Sequence, residues 1–274
     1  MIHIRPCNGF EELQACVDLQ VATWGYDAGD VVPRKLFLVA QKVGGQVLAA
    51  FDLPQMAEDE NSREQFPGGP ESMVGFLLAL PGVKSQEGVA RPYLHSHMLA
   101  VLPTHRNQGI GAQLKQYQRI DALDRGIRLI EWTFDPLEIK NAYLNICKLG
   151  AIVRRYEVDF YGVSSSRLQG GLPTDRLVAE WRLDSPRVEA ALSGRSVEKA
   201  SVVEEIHLPA EIYAWKASEH SRDRALAVQQ ENRSRFRQAF SQGLCVAGYR
   251  RTDAGGGVFE LSEYSSIRDL LSGD

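Results

Sequence analysis

Two short stretches of the chain carry groups able to do chemistry. The first is His95-Ser96-His97. An imidazole is the one ordinary side chain whose pKa lies near working pH, so it can take a proton from an incoming nucleophile. In an extended segment the two rings fall on one face, two residues apart. The second stretch is Val101-Leu102-Pro103-Thr104-His105-Arg106-Asn107-Gln108-Gly109-Ile110-Gly111-Ala112-Gln113-Leu114. It joins an apolar run, Tyr93 to Val101, to an amphipathic one, Gly111 to Leu123, and reads as strand, short loop, helix. A loop at a helix N-terminus presents unpaired backbone N–H groups and the positive end of the helix dipole. Gly109 and Gly111 place no side chain between those groups and an anion. Phosphate is the expected guest.

The loop lacks the third glycine of a dinucleotide fingerprint and the Lys-Ser or Lys-Thr pair of a nucleotide P-loop. What remains is Val-x-Pro-x-x-Arg-x-x-Gly-x-Gly-x-x-Leu. It resembles the acyl-CoA-binding motif of the Gcn5-related N-acetyltransferase (GNAT) superfamily. That resemblance implies that Arg106, Gln108, Gly109, Ile110, Gly111 and Ala112 hold the CoA pyrophosphate. It also implies acetyl-CoA, or another short acyl-CoA, as co-substrate. A plain strand-to-helix loop without a ligand is the alternative that the glycines alone leave open.

His95-Ser96-His97-Met98-Leu99-Ala100-Val101 is similar to the corresponding strand of the arylalkylamine N-acetyltransferases. The similarity implies that His95 and His97 relay the proton of the acceptor amine. Should neither be the base, Glu131 on the neighbouring strand is the next candidate. The similarity also implies that backbone N–H groups of Leu99, Ala100 and Val101 polarise the thioester carbonyl. Two histidines satisfied by hydrogen bonds in a covered strand remain an alternative. So does a metal site completed by His105, Glu131 or Asp135, although no metal is expected. The family's helix motif aligns Ala142 with its alanine and Ile146 with its thiolate-protonating tyrosine. The usual general acid is therefore absent. Asn141 stands two residues from the motif's asparagine and is a candidate for the CoA side, with Asn145 beside it. Tyr143 could act as the acid only if the helix is shifted, and is expected to pack.

The chain has 274 residues, net charge −4, 44% hydrophobic and 24% charged residues. That usage is globular and does not point to a nucleic-acid surface. Cys7, Cys16, Cys147 and Cys245 lack zinc-knuckle or thioredoxin spacing, as reduced thiols of a cytoplasmic protein would. No run is apolar enough for a membrane span, and the N-terminus does not read as a signal peptide. A small-molecule amine acceptor is the expected partner, and the chain is expected to be a monomer or homodimer. A protein amine, or a non-catalytic acyl-CoA-binding role, stays open.

These groups need elements to hold them. The pattern predicts strands over Ile2–Arg5, Gln46–Leu53, Ser72–Leu80, Tyr93–Val101, Ile127–Phe134, Ala151–Tyr156 and Val158–Val163. It predicts helices over Phe10–Thr23, from Pro33 with Leu36, Val39 and Ala40 buried, over Gly111–Leu123 and over Leu137–Leu149. Pro54–Glu71 and Pro81–Arg91 read as connections, the former beside the acceptor. The fold class expected is α/β (α+β), a GNAT-like mixed sheet flanked by helices. The short helical connection requires the Tyr93–Val101 and Ile127–Phe134 strands to run parallel, and the resemblance implies that they splay apart. Residues 1–165 are expected to form an acyl-CoA-binding domain. Residues 166–274 are expected to be an α+β region of unknown role that packs on it or extends its sheet. That region holds a half-buried strand Leu177–Leu183, helices Ser185–Leu192 and Ala217–Phe240, and a hairpin of Leu244–Arg250 with Val258–Ser262.

Overall fold

Among the described residues, four strands and three α-helices build the first of two units, Met1–Ile127. The computed structural model describes residues 1–54, 68–86, 88–197 and 200–271. Strands β1 (Ile2–Pro6), β2 (Gln46–Asp52), β3 (Met73–Gln86) and β4 (Val89–Val101) pair antiparallel in that order. The expected turn-rich passage at Pro81–Arg91 is instead the far end of a long β3–β4 hairpin. Pro81 is tolerated there because β3 pairs with β2 only as far as Ala79. Beyond that point one edge of the strand asks for no N–H.

Helix α1 (Gly9–Trp24) ends at Gly25, which takes the left-handed cap conformation with φ 66°. Helix α2 (Arg34–Lys42) starts directly after Pro33. Its buried face is Phe37 and Ala40, not the Leu36–Val39 stripe expected, which is 38% and 50% exposed. Phe37 meets Phe76 edge-to-face at 5.8 Å, and that ring fixes the helix rotation. Helix α3 (Ile110–Asp124) covers the other sheet face. Side-chain parity divides the two faces. Val47, Ala49 and Phe51 of β2 and Phe76 and Leu78 of β3 join the core under α1 and α2. Gln46 bonds to α3, and Gly75 lies against Leu114 of α3. The expectation for Pro54–Glu71 falls largely on residues 55–67, outside the described residues.

In the second unit, Arg128–Asp274, the strands pair antiparallel with one another. Its strands are β5 (Leu129–Phe134), β6 (Ile152–Glu157), β7 (Arg176–Arg182), β8 (Glu204–Leu208), β9 (Leu244–Arg251) and β10 (Gly257–Glu263). They stand in the order β5-β7-β6-β9-β10-β8. β7 lies between β5 and β6 and pairs antiparallel with both. It is therefore buried along its length rather than half-buried, with Trp181 wholly covered. The division expected at 165/166 falls inside this unit, between β6 and its partner β7.

Val158–Val163 is not the expected strand. Asp159 (φ 46°) and Gly162 (φ 66°) bend it, and Thr174 clamps the bend through Asp159 Oδ1, Tyr161 N and Phe160 N. The expected helix Leu137–Leu149 is one short helix, α4 (Ile139–Ala142), followed by a wider π-type turn over Tyr143–Lys148. Helix α5 (Pro186–Leu192) follows Ser185, whose Oγ accepts from Val188 N. The long helix expected over Ala217–Phe240 is α7 (Arg222–Ser241), and a separate short helix, α6 (Ile212–Ala217), precedes it.

Candidate functional site

The His95–His97 strand does not run straight. Leu78 pairs with Met98, but the next residue, Ala79, pairs with Ser96. His97 is the extra residue of a β-bulge. Plain alternation would put Ser96 and Met98 on one face. Instead Met98 joins the core under α1 and α2, while Ser96 Oγ accepts from Lys115 Nζ on α3 at 2.8 Å. His95 pairs with Leu80, which packs against the α1/α2 core. The two imidazoles stand with ring centroids 6.0 Å apart and planes tilted by 38°. The rings are near one another, but the bulge interrupts the alternation on which a shared face was expected. Both rings are half-buried. Burial pushes the His97 imidazole below its ordinary value of 6.5, so near neutral pH it is uncharged and able to accept a proton.

Lys115 was not singled out by the sequence, although its spacing to Leu114, Gln118 and Ala122 puts it on the covered face of α3. It is 4% exposed. Its Nζ also donates to Gln118 Oε1 at 3.0 Å, and Gln118 Nε2 donates to Gln46 Oε1 at 3.0 Å. Gln46 Nε2 in turn donates to Asp121 Oδ2 at 2.5 Å. A polar chain thus crosses from β4 through α3 to β2. Burial lowers the Lys115 ammonium to about 7.

β4 ends at Val101, and the motif loop begins. Pro103–His105 makes one tight turn. Asn107 (φ 63°) and Gly109 (φ 79°) are both left-handed. Gly109 is the N-cap of α3, and no side chain caps that end. The first-turn amides of Ile110, Gly111 and Ala112 thus meet the loop without a side-chain partner from the cap. A Cβ at Gly111 would lie 3.5 Å from Leu99, an ordinary contact, so glycine here is not demanded by the fold. Arg106 Nε donates to Val101 O at 3.2 Å and Gln108 Nε2 to Thr104 O at 3.4 Å. His105 Nε2 lies 3.4 Å from Asp52 Oδ2. This cradle fits a phosphate group. Leu99, Ala100 and Val101 pair with Leu77, Phe76 and Gly75 of β3.

In the second unit Glu131 is 5% exposed and accepts from Arg155 at 2.7 Å. Asn141 is exposed on α4, and Ile146 is buried in the π-type turn. Tyr143 packs as expected, with the Arg251 guanidinium 4.3 Å from its ring centre. Among the described residues no three of His, Cys, Asp and Glu are grouped to hold a metal ion. No described helix is long and apolar enough to cross a membrane. A cavity of about 590 Å³ opens beside α1. Glu11, Asp18, Glu71 and Arg34 line it, and it reaches Leu102 but neither imidazole.

No curated protein matches the chain. Among solved structures, Arabidopsis thaliana NAA60 in complex with acetyl-CoA shares 15% identity, with 66% of this chain and 99% of that one covered at TM-score 0.49. The NatC complex bound to Gag peptide and CoA shares 16% over 66% and 98% at 0.46. Aminoglycoside 6'-acetyltransferase type Ii shares 19% over 67% and 97% at 0.45. Residues 48–142, from β2 through β4, the loop and α3 to the end of α4, match the acetyltransferase (GNAT) family model.

Proposed function

We propose that the chain is an acyl-CoA-dependent N-acyltransferase that moves a short acyl group, acetyl by default, to a primary amine of a small molecule. One observation carries the reading. The α3 N-terminus lacks a side-chain cap and follows left-handed Asn107 and Gly109, inside the segment that matches the acetyltransferase family. CoA supplies the activated thioester. The residues' own contributions are positional and electrostatic. Backbone N–H groups of Ile110, Gly111 and Ala112 neutralise pyrophosphate charge, with Arg106 at the loop's edge.

An alkylammonium cannot attack a thioester, so its proton must leave first. A neutral imidazole at His97 or His95 accepts that proton, directly or through water. The half-buried setting of the rings supports an acceptor small enough to enter among side chains. Ile146 occupies the position of the usual thiolate-protonating tyrosine, so the leaving thiolate takes its proton from water or from the imidazolium just formed. That same replacement supports a second reading, a non-catalytic acyl-CoA-binding module.

Titration calorimetry with acetyl-CoA tests the first step, and a thiol-release assay over a panel of small amines and peptide N-termini tests the second. Binding with amine-dependent thiol release is expected. Binding without release from any acceptor would favour the module, and no binding would remove both.

A further inference from the structure

A bulged strand is held less firmly than a paired one, because the extra residue interrupts the ladder. A slip of one residue would exchange the faces of every side chain beyond it. In β4 the step occurs at His97, between Ser96 and Met98. Something must hold Ser96 on the α3 face while Met98 stays on the opposite one. The contact that does so is Lys115 Nζ to Ser96 Oγ at 2.8 Å, with both residues buried.

Lys115 is itself fixed by Gln118 of its own helix, and Gln118 by Gln46 of β2. The charged groups bonded along this chain include Asp121, which accepts from Gln46, and Arg125, which donates to Asp121 at 2.9 Å. From β4 the titratable groups beside Ser96 are His95 and His97. A buried amine is costly to keep, and Met of similar length would fill the space without that cost. Its polar end is therefore the part that needs an explanation.

We propose that Lys115 is a positioning residue for the β4 imidazoles: by drawing the Ser96 hydroxyl to α3 it fixes the bulge at His97 and so sets where the two rings stand. The proposal rests on the reading of those rings as acceptors of the substrate proton. Its first readout does not depend on that reading. The lowered proton affinity of Lys115 fits the role, because near neutrality the amine can exchange donor and acceptor roles with Ser96 without leaving its place.

The test uses the full chain, labelled with ¹⁵N-histidine, as wild type, Ser96→Ala, Ser96→Thr and Lys115→Met. His95→Gln and His97→Gln assign the signals. Imidazole titrations, melting temperatures, and kcat and KM for acetyl-CoA and amine are compared. In Ser96→Ala and Lys115→Met the titration midpoint of His97 should move. Turnover should fall by up to ~10²-fold, the cost of a misplaced reacting group, with KM for acetyl-CoA unchanged. Ser96→Thr keeps the hydroxyl and should restore both.

An unmoved His97 midpoint in a folded Ser96→Ala overturns the proposal, even if Lys115→Met does not fold. If the wild type neither binds acetyl-CoA nor turns over, the proposed activity fails. The movement or constancy of His97 then still decides whether Lys115 positions it.

Discussion

Glu131 of β5 and Glu180 of β7 are direct cross-strand partners, two carboxylates side by side in a buried sheet. Like charges so placed repel unless cations intervene. The cations come from β6, where Arg154 is the extra residue of a bulge between Val153 and Arg155. The bulge lets adjacent arginines reach the same region. Arg154 bonds Glu180 at 2.7 Å, and Arg155 bonds Glu131 at 2.7 Å and lies 3.7 Å from Glu180. Glu131→Ala should therefore lower stability by about 2 kcal/mol, because Arg155 loses its closest acceptor but keeps some access to water. Chemical denaturation would measure this. If stability is unchanged while turnover collapses, Glu131 acts on substrate instead.

The two loop glycines should behave differently. Gly109 has φ 79°, so Gly109→Ala strains the backbone whatever the ligand. Gly111→Ala meets only Leu99 at 3.5 Å and should melt like wild type. Gly111→Glu adds both bulk and negative charge beside the helix amides and should abolish acetyl-CoA binding in calorimetry. Unchanged affinity in both Gly109→Glu and Gly111→Glu would take the loop out of the site.

His95→Gln or His97→Gln should cut turnover by ~10²- to 10⁴-fold with acyl-CoA affinity nearly intact. Burial holds the His97 proton more loosely than the ordinary 6.5. The wild-type rate should then rise with pH through a midpoint below that value and be level near neutrality, if His97 is the base. The variants should lose this limb and regain rate at high pH, where more amine is already neutral. Stable variants with wild-type turnover and pH profile would show that neither ring is the base.

Lys115 also makes stability depend on pH. The folded chain binds its proton with a midpoint of about 7, against 10.5 for an ordinary lysine. Between those values the unfolded chain holds a proton that the folded chain has released. Stability should thus rise as pH rises across that window, and be flat and lowest for this group below it. Urea midpoints of wild type and Lys115→Met at several pH values would show the difference. Equal slopes in the two proteins would contradict a buried, deprotonating Lys115.

Periodicity made α1, α3, β2 and the β9–β10 hairpin readable, because each has apolar spacing and an end marked by Gly, Pro or a charged turn. The strand–loop–helix passage is legible as well, since Gly109 stands at a left-handed position where α3 begins. What stayed hidden depends on partners distant in sequence. The covered length of β7 needs β5 and β6 on either side of it, and no local pattern states that. Leu36 and Val39 have the spacing of a buried stripe, yet Phe37 with Phe76 turns α2 the other way. The bulge at His97 changes the parity of a strand whose residues look regular. Lys115 is not legible in the sequence because a lysine in an amphipathic helix ordinarily faces water.

The placement of β7 between β5 and β6 has a consequence for how the chain is made. Strand β6 is synthesised soon after β5, but the strand that joins them ends only at Arg182. Until Arg176–Arg182 leaves the ribosome, β5 and β6 wait with the edges that β7 will occupy still open. Such edges invite pairing with other chains. A fragment cut at residue 165 should inherit that hazard permanently and collect in the insoluble fraction, whereas the full chain closes the gap from within.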